Sequence, residues 1–308
     1  MSRRAGQPRV LPLPVRDGVG PSCVVLPAGE WTTVLDYFAH RFTAVTRAQW
    51  QARMGAGEVL DAGGVPITPT RRFEPHLRIY YYRQLDDEPR VPFEEQVLFR
   101  DEHLLAVDKP HFLSISPVGK YVQETLLVRL KRKLGIDELV PLHRIDRETA
   151  GVVLFSVQRA SRGAYVQLFA ERAIEKRYEA VVHRPPHFAP PAVHRSRLQD
   201  DEHQFMCMRE VPGEPNAETH IEVLATGADW AHLALSPITG RRHQLRVHCH
   251  ALGMPILHDA IYPVLRPEGT DDYERPLQLL AREVRFRDPI TGAERFFASQ
   301  RSLALPPR

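Results

Sequence analysis

Only three of the 308 residues are cysteine, Cys23, Cys207 and Cys249, and no two of them form a Cys-x-x-Cys pair. That excludes a disulfide framework and fits a reducing compartment such as the cytoplasm. Long apolar runs are missing as well. The amino-terminal "MSRRAGQPRVLPLPVRDG" has no apolar core of signal-peptide length, and no later stretch is long enough to span a bilayer, so no membrane association is expected. Charge of one sign is also lacking: 41 Lys and Arg stand against 38 Asp and Glu, and the net +3 does not by itself signal a polyanionic partner. Internal repeats are not evident.

What is present is ordinary in amount and uneven in distribution. Hydrophobic residues make up 43% and charged residues 26%, the balance of a folded, water-soluble chain of one large domain or two ordinary ones. Three stretches are locally basic: "RAQWQAR" (47–53), "RLKRK" (129–133) and "GRRHQLRVH" (240–248). They read either as phosphate footprints or as solvated helix faces. "HCH" (248–250) invites a metal reading, but neighbouring strand positions point to opposite faces, so no metal site is expected.

Residues 1–29, rich in Pro, Gly and Arg without periodicity, read as a loosely ordered arm. In residues 30–84, apolar positions Val34, Leu35, Tyr37, Phe38 and Phe42 recur at helical spacing behind a Thr pair, and a second helix runs from a Thr46 cap to a Gly55/Gly57 stop. A β-prone "LRIYYYR" closes this unit. It resembles the small ribosomal-protein-type RNA-binding module found ahead of catalytic domains in RNA-modifying enzymes, with "VPIT" (65–68) where that module has Val-Asn-Gly. The resemblance implies RNA contacts at Arg47, Gln51 and Arg53; the alternative is a purely structural domain. The acidic, Pro-containing "LDDEPRVPFEEQ" (85–96) reads as a linker. Over 97–308, strands and helices alternate without a regular βαβ repeat, which predicts an α+β domain on a largely antiparallel mixed sheet flanked by helices.

"HRIDRETAG" (143–151) lies between a basic amphipathic helix and the apolar "VVLFSV", so it is a loop at the mouth of a sheet. Flanking arginines should hold Asp146 ionised, as a nucleophile or an electrostatic stabiliser, and Gly151 permits a backbone conformation closed to other residues. The competing reading is a structural ion-pair knot. A kinase catalytic loop fails: Ile145 separates Arg144 from Asp146, and no glycine-rich phosphate loop or Asp-Phe-Gly is present.

The same nine residues resemble the active-site signature of the RluA-type pseudouridine synthases, His-Arg-Leu-Asp-Arg-(Glu/Asp)-Thr-Ser-Gly, with Ile145 for Leu and Ala150 for Ser. "LLAVDKP" (104–110), "KRYEAVV" (176–182) and "ITGRRHQLRVHCHALGMPILHD" (238–259) match further blocks in the family's order, and "LLA" (279–281) stands where the family has Leu-His-Ala. The resemblance implies that Asp146 is the catalytic aspartate, that the Tyr178 ring stacks near the target uridine, and that Arg246 is the ion partner of that aspartate. Arg144 then fills the gap left by the displaced base. His143, Arg147, Arg241 and Arg242 fall in the same blocks and are the further substrate-binding candidates. Each has a plainer reading: Tyr178 as a core aromatic, Arg246 as a phosphate contact, Lys109 as a surface charge or fold element.

The implied activity is isomerisation of specific uridines in structured ribosomal or transfer RNA, with the base flipped into a pocket. The chemistry needs no cofactor. The carboxylate could add to the sugar, add to the uracil or stabilise a cationic sugar, and the sequence does not choose. The alternative function is a catalytically silent RNA-binding protein or RNA folding aid on the same fold.

Overall fold

The computed structural model describes residues 12–83, 88–267 and 271–306. These divide into two compact units. The smaller runs to Glu88 and takes in Gly119–Gln123 and Val128–Asp137; the larger takes Pro89–Val118, Glu124–Leu127 and the chain from Glu138 onward.

In the smaller unit, strand β1 (Ser22–Val25), helices α1 (Val34–Arg41) and α2 (Arg47–Gly55), and strands β2 (Val59–Asp61) and β3 (Arg78–Tyr81) form a three-stranded antiparallel sheet, ordered β1-β3-β2, with two helices. Both helices start on a capping box. Thr33 and Asp36, then Thr46 and Gln49, exchange side-chain and backbone hydrogen bonds and satisfy amides that a helix start leaves unpaired. The apolar faces close on Trp50, whose ring meets Phe38 edge-on at 4.7 Å.

Two boundaries differ from expectation. The arm predicted over 1–29 contains β1, which pairs along Arg78–Tyr81, and Leu26, which is fully buried; residues 1–11 lie outside the described residues. Four residues of edge strand are too short for alternation to show. The synthase domain predicted as continuous over 97–308 gives up Gly119–Gln123 and Val128–Asp137 to the smaller unit, so helix α3 (Leu126–Leu134) is divided between the two. Of the linker placed at 85–96, residues 85–87 are outside the described residues and Gln96 already starts a strand.

The larger unit is built on one mixed sheet. Its strands are β4 (Gln96–Arg100), β5 (Leu104–Lys109), β6 (Val140–Pro141), β7 (Ala150–Ser156), β8 (Glu175–His183), β9 (Val193–Asp200), β10 (Met208–Val211), β11 (Ala217–Thr226), β12 (Trp230–Pro237), β13 (Leu279–Arg287) and β14 (Glu294–Ala298). They run in the order β10-β9-β11-β12-β8-β13-β7-β5-β4, with β14 on β13 and β6 on β7. Every pairing is antiparallel except β13 with β7, so the sheet is largely antiparallel and the α+β class holds. Helices α4 (Arg159–Ala170) and α5 (Gln244–Ala251) belong to this unit. Among the described residues, no helix is long and apolar enough to cross a membrane.

The centre of the sheet aligns four residues from distant parts of the sequence. Tyr178 pairs with Ala281, Ala281 with Gly151, and Gly151 with Lys109, across β8, β13, β7 and β5. Gly151 sits at φ +113°, and a Cβ there would lie 2.2 Å from the Ala281 carbonyl oxygen, so only glycine fits.

Candidate active site

The charged loop 142–149 joins β6 to β7 and forms one wall of an open cavity of about 1170 Å³ in the larger unit. Tyr178 and Lys176 reach the same cavity from β8, and the opposite wall is the 238–243 loop with the start of α5. That loop is fastened by Gln244. Its side chain accepts from Thr239 Oγ1 at 2.7 Å and the Arg241 amide at 3.1 Å, and donates to Glu218 O and Thr219 Oγ1 at 2.9 Å each. α5 starts behind His243, a non-glycine residue at φ +53°.

Arg246 is the hub. Its side chain is wholly buried and forks onto Asp259, Nε to Oδ2 at 2.8 Å and Nη2 to Oδ1 at 2.6 Å. Asp259 is itself fixed by amides of Ile261 and Tyr262. The remaining nitrogen, Nη1, lies 3.4 Å from Asp146 Oδ2 and 3.5 Å from Glu148 Oε2. Burial alone would weaken the guanidinium's hold on its proton; hydrogen bonds to Asp259 and the charges of Asp259, Asp146 and Glu148 reverse that and raise its pKa. The Asp146 side chain stays 26% exposed, with His243 Nε2 3.9 Å from its other oxygen.

The sequence neighbours of Asp146 behave differently from expectation. Arg147 pairs with Asp271 and with Glu148, the latter at 3.2 Å. Arg144 is exposed on the cavity wall. The guanidinium at Asp146 is therefore Arg246, a hundred residues on, because a loop residue's neighbours fan outward while a helix packed beneath it points in.

Tyr178 is part-buried at the cavity wall, and burial together with the Asp146 charge raises its pKa, so the resting phenol is protonated. His143 is engaged by the fold: its Nε2 accepts from the Leu154 amide at 3.0 Å, its ring stacks on Phe169 at 5.0 Å, and burial lowers its pKa to about 3. A neutral ring so engaged supports the loop and offers no cation to phosphate. Lys109 is no surface charge. It is fully buried, and its ammonium donates to the carbonyls of Pro110, Leu113 and Arg147 at 2.9, 2.8 and 3.0 Å, pinning the loop beside Asp146. Burial pulls its pKa down to about 7 against the charges of Glu148 and Asp146.

Arg241 and Arg242 are exposed beside the cavity, Arg241 donating to Asn216 O and Arg242 to Asp200, Phe205 O and Cys207 O. Arg47 and Arg53 belong to the smaller unit, where Arg47 pairs with Asp36 at 2.7 Å and Arg53 lies over the Trp50 ring at 5.2 Å. Four contributors escaped the sequence reading: Glu148, Asp259, His243 and Lys176. Lys176 is part-buried in the cavity wall and forms no ion pair among the described residues. Two residues before Tyr178 on one strand, it shares that residue's face, which strand alternation could have signalled. Asp259 closes the matching block 238–259 but was given no role there.

Comparison with known proteins agrees with this fold. The family described as RNA pseudouridylate synthase matches residues 103–251. An uncharacterized RNA pseudouridine synthase of Synechocystis is 30% identical over 234 residues, covering 74% of this chain and 79% of that protein. The dual-specificity RNA pseudouridine synthase RluA of Haemophilus influenzae is 32% identical over 66% of this chain and 91% of its own length. Among solved structures, human RNA pseudouridylate synthase domain containing 1 shares the fold at TM-score 0.56 and 23% identity, over 69% of this chain and 86% of that one. The chain belongs to the RluA-type RNA pseudouridine synthases. Members of this class are isomerases that convert uridine to pseudouridine within RNA, and that is the activity of this protein.

Proposed function

We propose that Asp146 is the carboxylate that reacts with, or electrostatically stabilises, a uridine of ribosomal or transfer RNA swung out into the 1170 Å³ cavity. The observation that carries this is the Asp146 carboxylate at the cavity wall, part-exposed, with the buried Arg246 cation 3.4 Å behind it. Isomerisation breaks the bond from ribose to ring nitrogen, turns the uracil and rejoins it through carbon 5. It exchanges no electrons with a second molecule, so the reading calls for no cofactor or metal in this cavity.

Tyr178 stacks against the flipped base. Its phenol is held protonated partly by the Asp146 charge, so consumption of that charge by attack on the nucleoside would remove one of the two causes and make the phenol a better acid. Arg144 enters the space the base leaves. Arg241, Arg242 and Lys176 meet phosphate at the rim, and Arg47 and Arg53 of the smaller unit make RNA contacts of their own, so binding weakens as salt rises. His143 and Arg147 hold the loop. The absence of paired thiols fits work in the cytoplasm.

Pseudouridine mapping of total RNA tests this in three strains: one lacking the protein, one restored with it, and one restored with Asp146→Asn. A site lost in the first, regained in the second and absent in the third is expected. Modification sustained by Asp146→Asn would remove the carboxylate from catalysis; loss confined to another RNA class would overturn the substrate assignment while leaving the chemistry intact. Unchanged RNA in all three would favour a silent RNA binder.

A further inference from the structure

Away from the cavity, the larger unit gathers a second set of chemically competent side chains. His194 comes from β9, Glu210 from its neighbour β10 and His248 from α5, and one ligand atom of each lies within 4.8 Å of the other two. His194 Nε2 is 2.8 Å from Glu210 Oε1, and the two imidazole rings meet edge-on with centroids 4.7 Å apart. His248 is buried, while the His194 and Glu210 side chains keep 18% and 25% exposure, which leaves an approach from solvent.

The spacing argument against a metal at "HCH" treated this segment as a strand. It is helix α5, where residues two apart diverge by about 200°, so His248 and His250, which a strand would have set on one face, cannot share an ion. His248 instead finds its partners 54 and 38 residues earlier in the sequence, on strands. The same divergence turns His248 away from Arg246, two residues before it, so the cluster is distinct from the Asp146 cavity.

The donors match a borderline divalent ion. Two imidazoles and one carboxylate are the three-ligand set that zinc takes at about 2.0–2.2 Å, with a fourth position left for water. Bonds of that length hold ligands roughly 3.3 Å from one another in a tetrahedron, within reach of this cluster by side-chain rotation. His248 is also braced as a ligating imidazole is: Thr219 Oγ1 lies 2.9 Å from Nδ1 and is itself held by Gln244, which leaves Nε2 for the ion, with Ser196 Oγ 3.2 Å away.

We propose that His194, Glu210 and His248 form a binding site for a zinc-like divalent transition-metal ion that ties the sheet-edge hairpin β9–β10 to α5, the helix that carries Arg246. The connection has a consequence at the cavity. The hairpin's tip supplies Met206 to the cavity wall and accepts from Arg242 through the carbonyls of Phe205 and Cys207, so fixing the hairpin to α5 orders that wall.

The test uses the full-length chain stripped with a chelator and dialysed. Titration with zinc chloride by calorimetry should show one ion bound per chain, cobalt chloride should give the visible absorption of a four-coordinate His-containing site, and zinc should raise Tm by several degrees. Glu210→Gln, which keeps the side-chain shape, and His194→Ala should each weaken binding by about tenfold to a hundredfold, whereas His203→Ala, on the exposed hairpin tip, should leave it unchanged. Should His194→Ala fail to fold, Glu210→Gln carries the test alone. Absence of stoichiometric binding, or binding that Glu210→Gln leaves intact, overturns the assignment.

Discussion

Two arginines of the larger unit, Arg246 wholly buried and Arg282 part-buried, do the same electrostatic job with opposite outcomes. Arg282 forks onto Glu179, Nε to Oε1 at 2.8 Å and Nη2 to Oε2 at 2.9 Å, and spends Nη1 on the carbonyls of Ser299 and Arg301. His232 adds a contact to Glu179 at 3.2 Å. One carboxylate meets one guanidinium, and every nitrogen of that guanidinium is engaged. Arg246 forks as tightly onto Asp259 but then meets two more carboxylates at 3.4 and 3.5 Å, so negative charge is in surplus and the slack lies on the cavity side. A single strand contributes to both: Tyr178 and Glu179 are consecutive on β8 and leave the sheet on opposite faces. A knot of charge is structural when it closes on itself and available for chemistry when it does not.

The largest expected effects separate the two clusters through their carboxylates. Asp146→Asn should lower turnover by at least about a thousandfold, with Tm almost unchanged, since Arg246 keeps its fork to Asp259. Glu179→Gln should do the reverse. It opens a closed pair and costs roughly 2–4 kcal/mol of stability, read by denaturant unfolding, while turnover per folded molecule stays near wild type. A Glu179 variant inactive at full stability would end the distinction.

The arginines sharpen it next. Arg246→Met leaves Asp259 buried without its cation and should cost about 3–5 kcal/mol together with most activity. Arg282→Met should cost a comparable amount in unfolding experiments but spare turnover in the molecules that remain folded. Smaller again is Tyr178→Phe, expected to bind RNA as the wild type does in filter-binding assays and to lose about a hundredfold in single-turnover rate. Undiminished turnover would confine Tyr178 to stacking.

What could be read without coordinates was whatever is local. Thr33 and Thr46 announce their helices within four residues, and Gly151 is called for by the loop it ends, where the structure finds φ +113° and no room for a Cβ. The blocks around Asp146, Tyr178 and Arg246 could be found because each is a continuous string, and the structure sets them around one cavity. Partnership across distance was hidden. Nothing near Arg147 shows that Asp271 will engage it, the Arg246 partner of Asp146 was implied by the family resemblance and by nothing in the neighbouring residues, and the Leu154 and Phe169 contacts of His143 form only in the fold. β1 and the divided α3 were missed for the same reason: their places are decided by what they pack against.

The mildest test of the contrast is pH, because the supports of the Asp146 loop and the closed pair titrate in different windows. Burial lowers His143 to about 3 and His111, whose Nδ1 lies 2.6 Å from the Glu148 carbonyl oxygen of the loop, to about 4, against 6.5 for an unburied imidazole. Between those values the unfolded chain holds protons that the folded chain refuses, so stability rises with pH there and is lost as acid is added below 6.5. Glu179, held at about 2 by its bond to His232 against burial and with the help of Arg282, lies below the ordinary 4.5. Its contribution is complete above 4.5 and disappears only as pH falls toward 2. Each group changes stability by at most about 1.4 kcal/mol per pH unit. Tm measured from pH 8 to pH 3 should therefore begin to fall near 6.5 and steepen below 4.5. His143→Gln, whose amide oxygen can still accept from the Leu154 amide, should flatten the first segment, and Glu179→Gln only the second. If His143→Gln leaves the slope between 6.5 and 4.5 untouched, the loop is not held by a neutral His143, and the open cluster would need another support beside Lys109.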